Sequence, residues 1–363
     1  MTTAHINAIG TAVPPHQVHD AFVDFVRASL RDSGHLRLFD RMVARSGIER
    51  RFSFLEPEVL ADGSITDRDG FYGLGEWPST AARMDRYERD APAVALRAIQ
   101  ALSPDIAGDG ITHLVVASCT GFIAPGLDQL IVAATGIDPS VERTMVGFMG
   151  CYAAVNALRL ARHIVRSEPE ARVLVVNVEL CSLHFQRTQD VERLLSMLLF
   201  GDGAAAALVT AEERGIALTD FRSAAIPGSD EAITWRIGDR GFDMHLDGKV
   251  PGFIASALRA ERDRNDEHGI LRGRAPADYD LWAVHAGGRT ILDAVERALN
   301  LAPAALQPSR EVLRKFGNMS SATLMFVLAA MLEQHKAGHE GRDGLAMAFG
   351  PGLACESFRF RMA

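Results

Sequence analysis

The chain repeats itself. VVASCTG (115–121) has a counterpart in LWAVHAGG (281–288), MVGFMGCYAAVNAL (145–158) in LRKFGNMSSATLMF (313–326), and FGDGAAAALV (200–209) in FGPGLACESF (349–358). The order is the same in both halves. Cys119 and Cys151 are 32 positions apart, and His285 and Asn318 are 33 apart. The third interval is 49 residues in the first half and 31 in the second, so the first half carries about 18 extra residues near 182–199. Glycine-bounded apolar strands do resemble one another by chance, but three anchors in one order argue for duplication. A duplicated fold brings loops from both halves to one central site.

The units are α/β. Residues 4–9, 112–119 and 171–180 read as short strands, the last two as buried ones, and AAAALVTAE and YDLWAVHAGG look similar. They alternate with helical patterns at 18–50, 80–102, 151–166 and 288–300. A loop-rich stretch spans 57–78. The halves divide as 1–215, carrying the cysteine candidate, and 216–363, carrying the histidine and asparagine.

Length and charge narrow the function. A chain of 363 residues, 48% apolar and 23% charged, buries its core without staples. Its net charge of -8 disfavours a general nucleic-acid partner. Four cysteines without a CxxC pair suggest neither a zinc site nor a disulfide framework. Neither a signal peptide nor an apolar run long enough to span a membrane is evident, and a reducing cytoplasm is expected.

Three side chains stand out. Cys151 follows Gly150 and opens an apolar helical run. A thiol at a helix N-terminus meets unpaired N–H groups and the positive dipole end, which lower its pKa and favour a nucleophilic thiolate. His285 ends a buried-strand pattern, where α/β proteins place their sites, and an imidazole near a thiol holds a thiolate–imidazolium pair. Asn318 starts a helix; its amide either caps that helix or donates to an oxyanion. Each alone is compatible with an inert core or capping role. The repeat decides, because it makes Asn318 the counterpart of Cys151 and His285 that of Cys119. Cys355, and equally Cys181, read as buried and inert, although Cys181 is also placed to line a cavity. His163, His335 and His339 read as solvated. The chemistry that suits the three is acyl transfer onto sulfur, then carbon–carbon bond formation through an enolate held by two neutral donors, with no metal.

VVASCTGFIAPGLDQ, MVGFMGCYAAV, LLFGDGAAAALV, WAVHAGGRTILD, FGNMSSAT and FGPGLACESF together resemble the type III polyketide synthases, the chalcone synthase superfamily, over nearly the whole chain. The resemblance implies a thiolase-like αβαβα sandwich of two pseudo-equivalent halves and a homodimer. It implies an acyltransferase that loads an acyl-CoA starter, extends it with malonyl-CoA and cyclises the product, needing no cofactor beyond the CoA thioesters. Its triad falls on Cys151, His285 and Asn318, and its gatekeepers on Phe200 and Met244. Further pocket positions fall on Cys119, Thr120, Cys181, His184, Gly350 and Pro351. The plant methionine that crosses the dimer falls on Ala124. The CoA-tunnel cations fall near Leu38, Arg41 and Arg45; Leu38 departs from the pattern, and Arg37, Arg41 and Arg45 form an i, i+4, i+8 stripe that supplies charge. Cys119, as in bacterial members, and the small residues around it and at Ala124 resemble those of bacterial alkylpyrone and alkylresorcinol synthases, a resemblance that implies a medium- or long-chain fatty acyl starter. Rival readings are a ketoacyl synthase III-like single condensation with an acyl carrier protein, a small-starter or malonyl-only synthase, a Cys–His–Asn hydrolase and a non-catalytic thiolase-fold binding protein.

Overall fold

A computed structural model describes residues 2–73, 77–102, 110–264, 266–335 and 341–363. The first half contains β1 (Ala4–Ala12), β2 (His16–Gln17), α1 (His19–Ser29), α2 (Ser33–Arg45), β3 (Phe52–Ser53), β4 (Pro57–Val59), β5 (Ile65–Asp67), α3 (Thr80–Gln100), β6 (His113–Ser118), α4 (Leu127–Thr135), β7 (Glu142–Gly147), α5 (Ala153–Ser167), β8 (Val173–Leu180), α6 (Val191–Leu199) and β9 (Asp202–Thr210). The second contains β10 (Ile216–Ala225), β11 (Ile233–Gly238), β12 (Gly241–Leu246), α7 (Val250–Asp263), β13 (Leu281–Val284), α8 (Arg289–Leu299), α9 (Gln307–Phe316), α10 (Ala322–His335), β14 (Asp343–Gly350) and β15 (Ala354–Met362).

Among the described residues, nine strands form one sheet in the order β13-β14-β15-β10-β1-β9-β8-β6-β7. The pairing is palindromic. β6 runs parallel to β8, which is antiparallel to β9, which is antiparallel to β1. β13 likewise runs parallel to β14, which is antiparallel to β15, which is antiparallel to β10. The halves meet where β1 pairs antiparallel with β10. The repeat in the sequence is therefore a repeat in the fold.

The layers follow from burial. All eight residues of β8, VLVVNVEL, are buried because helices cover both faces of its sheet, as its continuous β-branched run anticipates. α10 buries Ala322, Leu324, Met325, Phe326, Val327 and Leu328, and so is apolar all round. With α5 it packs against strands of both halves in one core. Each buried Leu, Met or Phe contributes about 1.5–3 kcal/mol relative to exposure, so packing rather than propensity holds this central layer. α3 and α4 cover the outer face of the first half, and α7, α8 and α9 that of the second. This is the αβαβα thiolase-like sandwich. At Gly10, α3 lies so close to β1 that a Cβ would sit 2.3 Å from the Ala98 carbonyl oxygen.

Several boundaries differ from the sequence reading. The helical stretch 18–50 is two helices, broken at Leu30, where the backbone turns extended before Asp32 caps α2 through the His35 N–H. The extra residues near 182–199 contain α6, which delivers Phe200 to the site. Cys355 is buried in β15 and His163 is exposed. His339 and the side chain of His335 lie outside the described residues. No helix among the described residues is long and apolar enough to cross a membrane.

Candidate active site

Cys151 sits in a single 3-10 turn, Gly150–Tyr152, that feeds α5. Gly150 holds φ 72°, and a Cβ there would lie 2.4 Å from Cδ of Pro351. That close approach fits the Gly350–Pro351 loop over the nucleophile turn. Gly350 lies equally close to it, since a Cβ would meet the Tyr152 ring at 2.7 Å and the Cys151 backbone nitrogen at 3.4 Å. The Gly150 N–H donates to Cys119 Sγ at 2.9 Å, so a second thiol braces the turn.

The thiol is not pre-ionised. Burial pushes Cys151 up to about 11, against hydrogen bonds from the side chains of Ser320 and Asn318 that favour the thiolate; the nearby Glu179 raises it further. The expectation of a lowered pKa is thus corrected. Desolvation outweighs the hydrogen bonds that favour the thiolate.

His285 follows β13 directly, as expected for a strand's C-terminal mouth. Burial alone lowers its pKa to about 3, so the ring is neutral. Neither ring nitrogen has a hydrogen-bond partner among the described residues. Burial thus disfavours the charged form of both groups, raising Cys151 and lowering His285. A neutral, unpartnered imidazole is free to take a proton at one nitrogen and to donate from the other.

Asn318 shows the capping role directly, while its amide nitrogen is held by the loop after His285. Its Oδ1 accepts from the Ser320 N–H at 2.9 Å, a local cap, and its Nδ2 donates to the Gly287 carbonyl at 3.3 Å. Its backbone pairs with the end of α6: the Asn318 N–H donates to Leu199 at 2.8 Å, and the Gly201 N–H donates to Asn318 at 3.0 Å. The structure thus brings Asn318 to the Cys151 sulfur and to the loop after His285.

A largely apolar cavity opens from Cys151. Cys119, Thr120, Cys181, His184, Phe200, Met244 and Pro351 all line it. The cavity then runs outward between α1, with Val18, Ala21, Phe22 and Phe25, and the β4–β5 hairpin, with Pro57 and Ile65. His184 is buried, and both its nitrogens are committed. Nε2–H donates to the Thr120 carbonyl at 2.7 Å, Nδ1 accepts from the Phe242 N–H at 2.9 Å, and the ring stacks on Phe242 at 4.1 Å. Its role is to shape the wall. Ala124 is exposed, next to the cis bond to Pro125, and is not a wall residue within one chain. Arg37, Arg41 and Arg45 are exposed on α2, away from the cavity wall.

Two residues were missed in the sequence. Glu179 is fully buried in β8, where burial raises its carboxyl to about 7. It accepts from the Cys119 N–H and the Thr120 hydroxyl, each at 3.0 Å, and from the Ser321 hydroxyl. Its signal was the one acid in the largely apolar run VLVVNVEL. Trp235 lines the cavity and donates Nε1–H to the Cys119 carbonyl at 2.9 Å. It belongs to the β11–β12 hairpin, which lies outside the repeated anchors, and nothing in the sequence marked it. Among the described residues, no group of three or more His, Cys, Asp and Glu is placed to hold a metal ion.

Fold and site together define a thiolase-like enzyme. The profile of the chalcone and stilbene synthases, N-terminal domain, matches residues 1–213, and that of their C-terminal domain matches residues 218–363. The chain belongs to the chalcone and stilbene synthase family, the type III polyketide synthases. It is 38% identical to bisdemethoxycurcumin synthase of Oryza sativa subsp. japonica, over 98% of this chain and 91% of that protein. It is 32% identical to the alpha-pyrone synthesis polyketide synthase-like Pks18 of Mycobacterium tuberculosis, over 99% of this chain and 91% of that protein. The crystal structure of PKS-I from the brown alga Ectocarpus siliculosus superposes with a TM-score of 0.86 at 28% identity, covering 100% of this chain and 99% of that one. The chain is accordingly an acyltransferase with the decarboxylative condensation chemistry of this family.

Proposed function

We propose that the protein loads a medium- or long-chain fatty acyl group from CoA onto Cys151, extends it with malonyl-CoA and cyclises the product to a pyrone or phenolic ring. The observation that carries the starter assignment is the cavity, which continues from Cys151 to the apolar channel between α1 and the β4–β5 hairpin. An acyl thioester on Cys151 has somewhere apolar to put its tail.

In loading, the neutral His285 imidazole takes the thiol proton as Cys151 sulfur attacks the thioester carbonyl, then gives that proton to the CoA sulfur as the carbon–sulfur bond to CoA breaks, so CoA leaves as the thiol and the imidazole is neutral again. Malonyl-CoA then loses carbon dioxide. The enolate oxygen receives hydrogen bonds from the neutral His285 N–H and the Asn318 amide, both donors held in a site shielded from water. The enolate carbon attacks the acyl carbon, the carbon–sulfur bond to Cys151 breaks, and the lengthened chain leaves on CoA. Arg41 and Arg45 make no ion pair among the described residues, which supports a role for the Arg37, Arg41 and Arg45 stripe in meeting the CoA phosphates. β7 is an open edge strand with Met145 exposed, and Phe122 is exposed beside it; this supports a homodimer joined at that edge, with Ala124 reaching the partner's cavity.

One observation favours a smaller starter. The Trp235 indole fills part of the cavity beside Cys119, and Phe22, Phe25, Tyr72 and Phe185 form an aromatic wall that suits an aryl group. Incubating the protein with malonyl-CoA and acyl-CoAs from acetyl to palmitoyl, plus an aryl acyl-CoA, separates the two by product mass. Long-chain pyrones or resorcinols are expected; products only from short or aryl starters contradict the fatty assignment.

A further inference from the structure

Arg51 is an expensive residue for a protein interior. It is 3% exposed and forms no ion pair among the described residues. Burial lowers its pKa to about 9, with only Asp202 acting to raise it. A buried guanidinium without a carboxylate partner is unfavourable, so its hydrogen bonds and its place over the Phe22 ring at 4.6 Å must offset that cost; Nη2 has no partner among the described residues, and the side chain lines the cavity.

Two of those bonds converge on the end of α6. Nη1 donates to the carbonyl of Met197 at 3.0 Å and to that of Phe200 at 2.6 Å. Nε donates to Nδ1 of His19, the first residue of α1, at 3.1 Å. His19 accepts there because burial, then the Arg51 charge, lower its pKa to about 4 and leave the ring neutral. The aliphatic stem is wedged between two glycines. A Cβ on Gly201 would lie 3.5 Å from Arg51 Cβ, and one on Gly317 would lie 2.9 Å from Arg51 Cγ. Gly201 follows Phe200, and Gly317 precedes Asn318. The two loops are themselves joined by the paired bonds between Asn318 and Leu199 and Gly201.

We propose that Arg51 is a positioning residue for Asn318. By pinning two carbonyls at the end of α6 and filling the space between Gly201 and Gly317, it fixes the backbone of Asn318 and so the aim of its amide. The planar fork bonds both carbonyls through one nitrogen while Nε is spent on His19. A lysine ammonium keeps the charge but not that fixed geometry. The inference rests on the reading that the Asn318 amide meets the enolate oxygen.

The test separates the two half-reactions in the full-length protein. Acylation of Cys151 by lauroyl-CoA is followed by intact mass, and carbon dioxide release from malonyl-CoA is followed in the absence of starter. Arg51→Lys is expected to slow carbon dioxide release about tenfold more than it slows acylation, as a displaced donor does. His19→Phe, which removes the Nε acceptor, is expected to show the same imbalance more weakly, and His19→Gln, which restores an acceptor, to reverse it. The His19 pair decides the matter if Arg51→Lys does not fold. Equal loss in both half-reactions, or no loss, overturns the positioning role. Asn318→Ala run alongside marks the difference: if it leaves carbon dioxide release intact, the reading of Asn318 fails and the inference falls with it. If Asn318→Ala abolishes release while neither Arg51 nor His19 variants bias it, only the role of Arg51 is overturned.

Discussion

The Asn318 amide donates to the Gly287 carbonyl at 3.3 Å, and the Gly287 N–H donates to the His285 carbonyl at 2.9 Å. The asparagine is therefore tied to the histidine loop before any substrate is bound, and the two proposed enolate donors are set as one unit. Asn318→Asp keeps the size but replaces the N–H donor with an acceptor facing that carbonyl. Carbon dioxide release from malonyl-CoA is expected to fall about 100-fold or more, as when an oxyanion donor is removed. A change below threefold in a direct release assay would remove Asn318 from the enolate step.

Glu179 sets a pH dependence. Its carboxyl titrates near 7 in the folded chain, above its ordinary value of 4.5. Below about pH 4.5 both folded and unfolded forms are protonated. As pH rises towards 7 the unfolded chain ionises first, so stability falls across that window and levels off above it. Glu179→Gln is expected to flatten this fall, which amounts to about 3 kcal/mol at most. Urea unfolding at pH 5 and pH 8 measures it. The same variant removes a charge that raises Cys151, so its alkylation by iodoacetamide is expected to set in at lower pH than in the unaltered protein.

The nucleophile turn depends on glycine. Gly150→Ala places a Cβ in a left-handed residue, costing about 1–2 kcal/mol, and drives it into the Pro351 ring, adding about 1–3 kcal/mol. Lower denaturant stability together with slowed Cys151 acylation is expected. Unchanged acylation would show that the Pro351 loop does not govern access to the thiol.

Chain length is tested at two places. Ala21→Trp fills the channel beside α1 and is expected to shorten the longest accepted acyl-CoA by several carbons. Ala124→Met is expected to do the same only through a partner subunit. If neither variant shifts the profile in the acyl-CoA panel, the fatty chain does not lie in this cavity.

The repeat was legible because its strands are buried on both faces and so keep a continuous apolar signature, as VLVVNVEL in β8 does. Cys151, His285 and Asn318 were singled out through that repeat rather than through their own spacing. Their electrostatics were not legible. Helix-end reasoning gave a low thiol pKa, whereas burial and the unseen charge of Glu179 set a high one. Glu179 and Arg51 come from distant strands and loops, and only the folded chain shows that one faces the thiols and the other the Asn318 backbone. The hairpin that carries Trp235 lies outside the repeated anchors, so the symmetry argument could not reach it.

The most direct measurement of the central claim is the intact mass of the protein after incubation with lauroyl-CoA, beside Cys151→Ala. The account predicts a single acyl adduct on Cys151 that further reacts with malonyl-CoA to release product, and neither adduct nor product from Cys151→Ala. Product formation by Cys151→Ala, or an adduct on Cys119 or Cys181 instead, would contradict it.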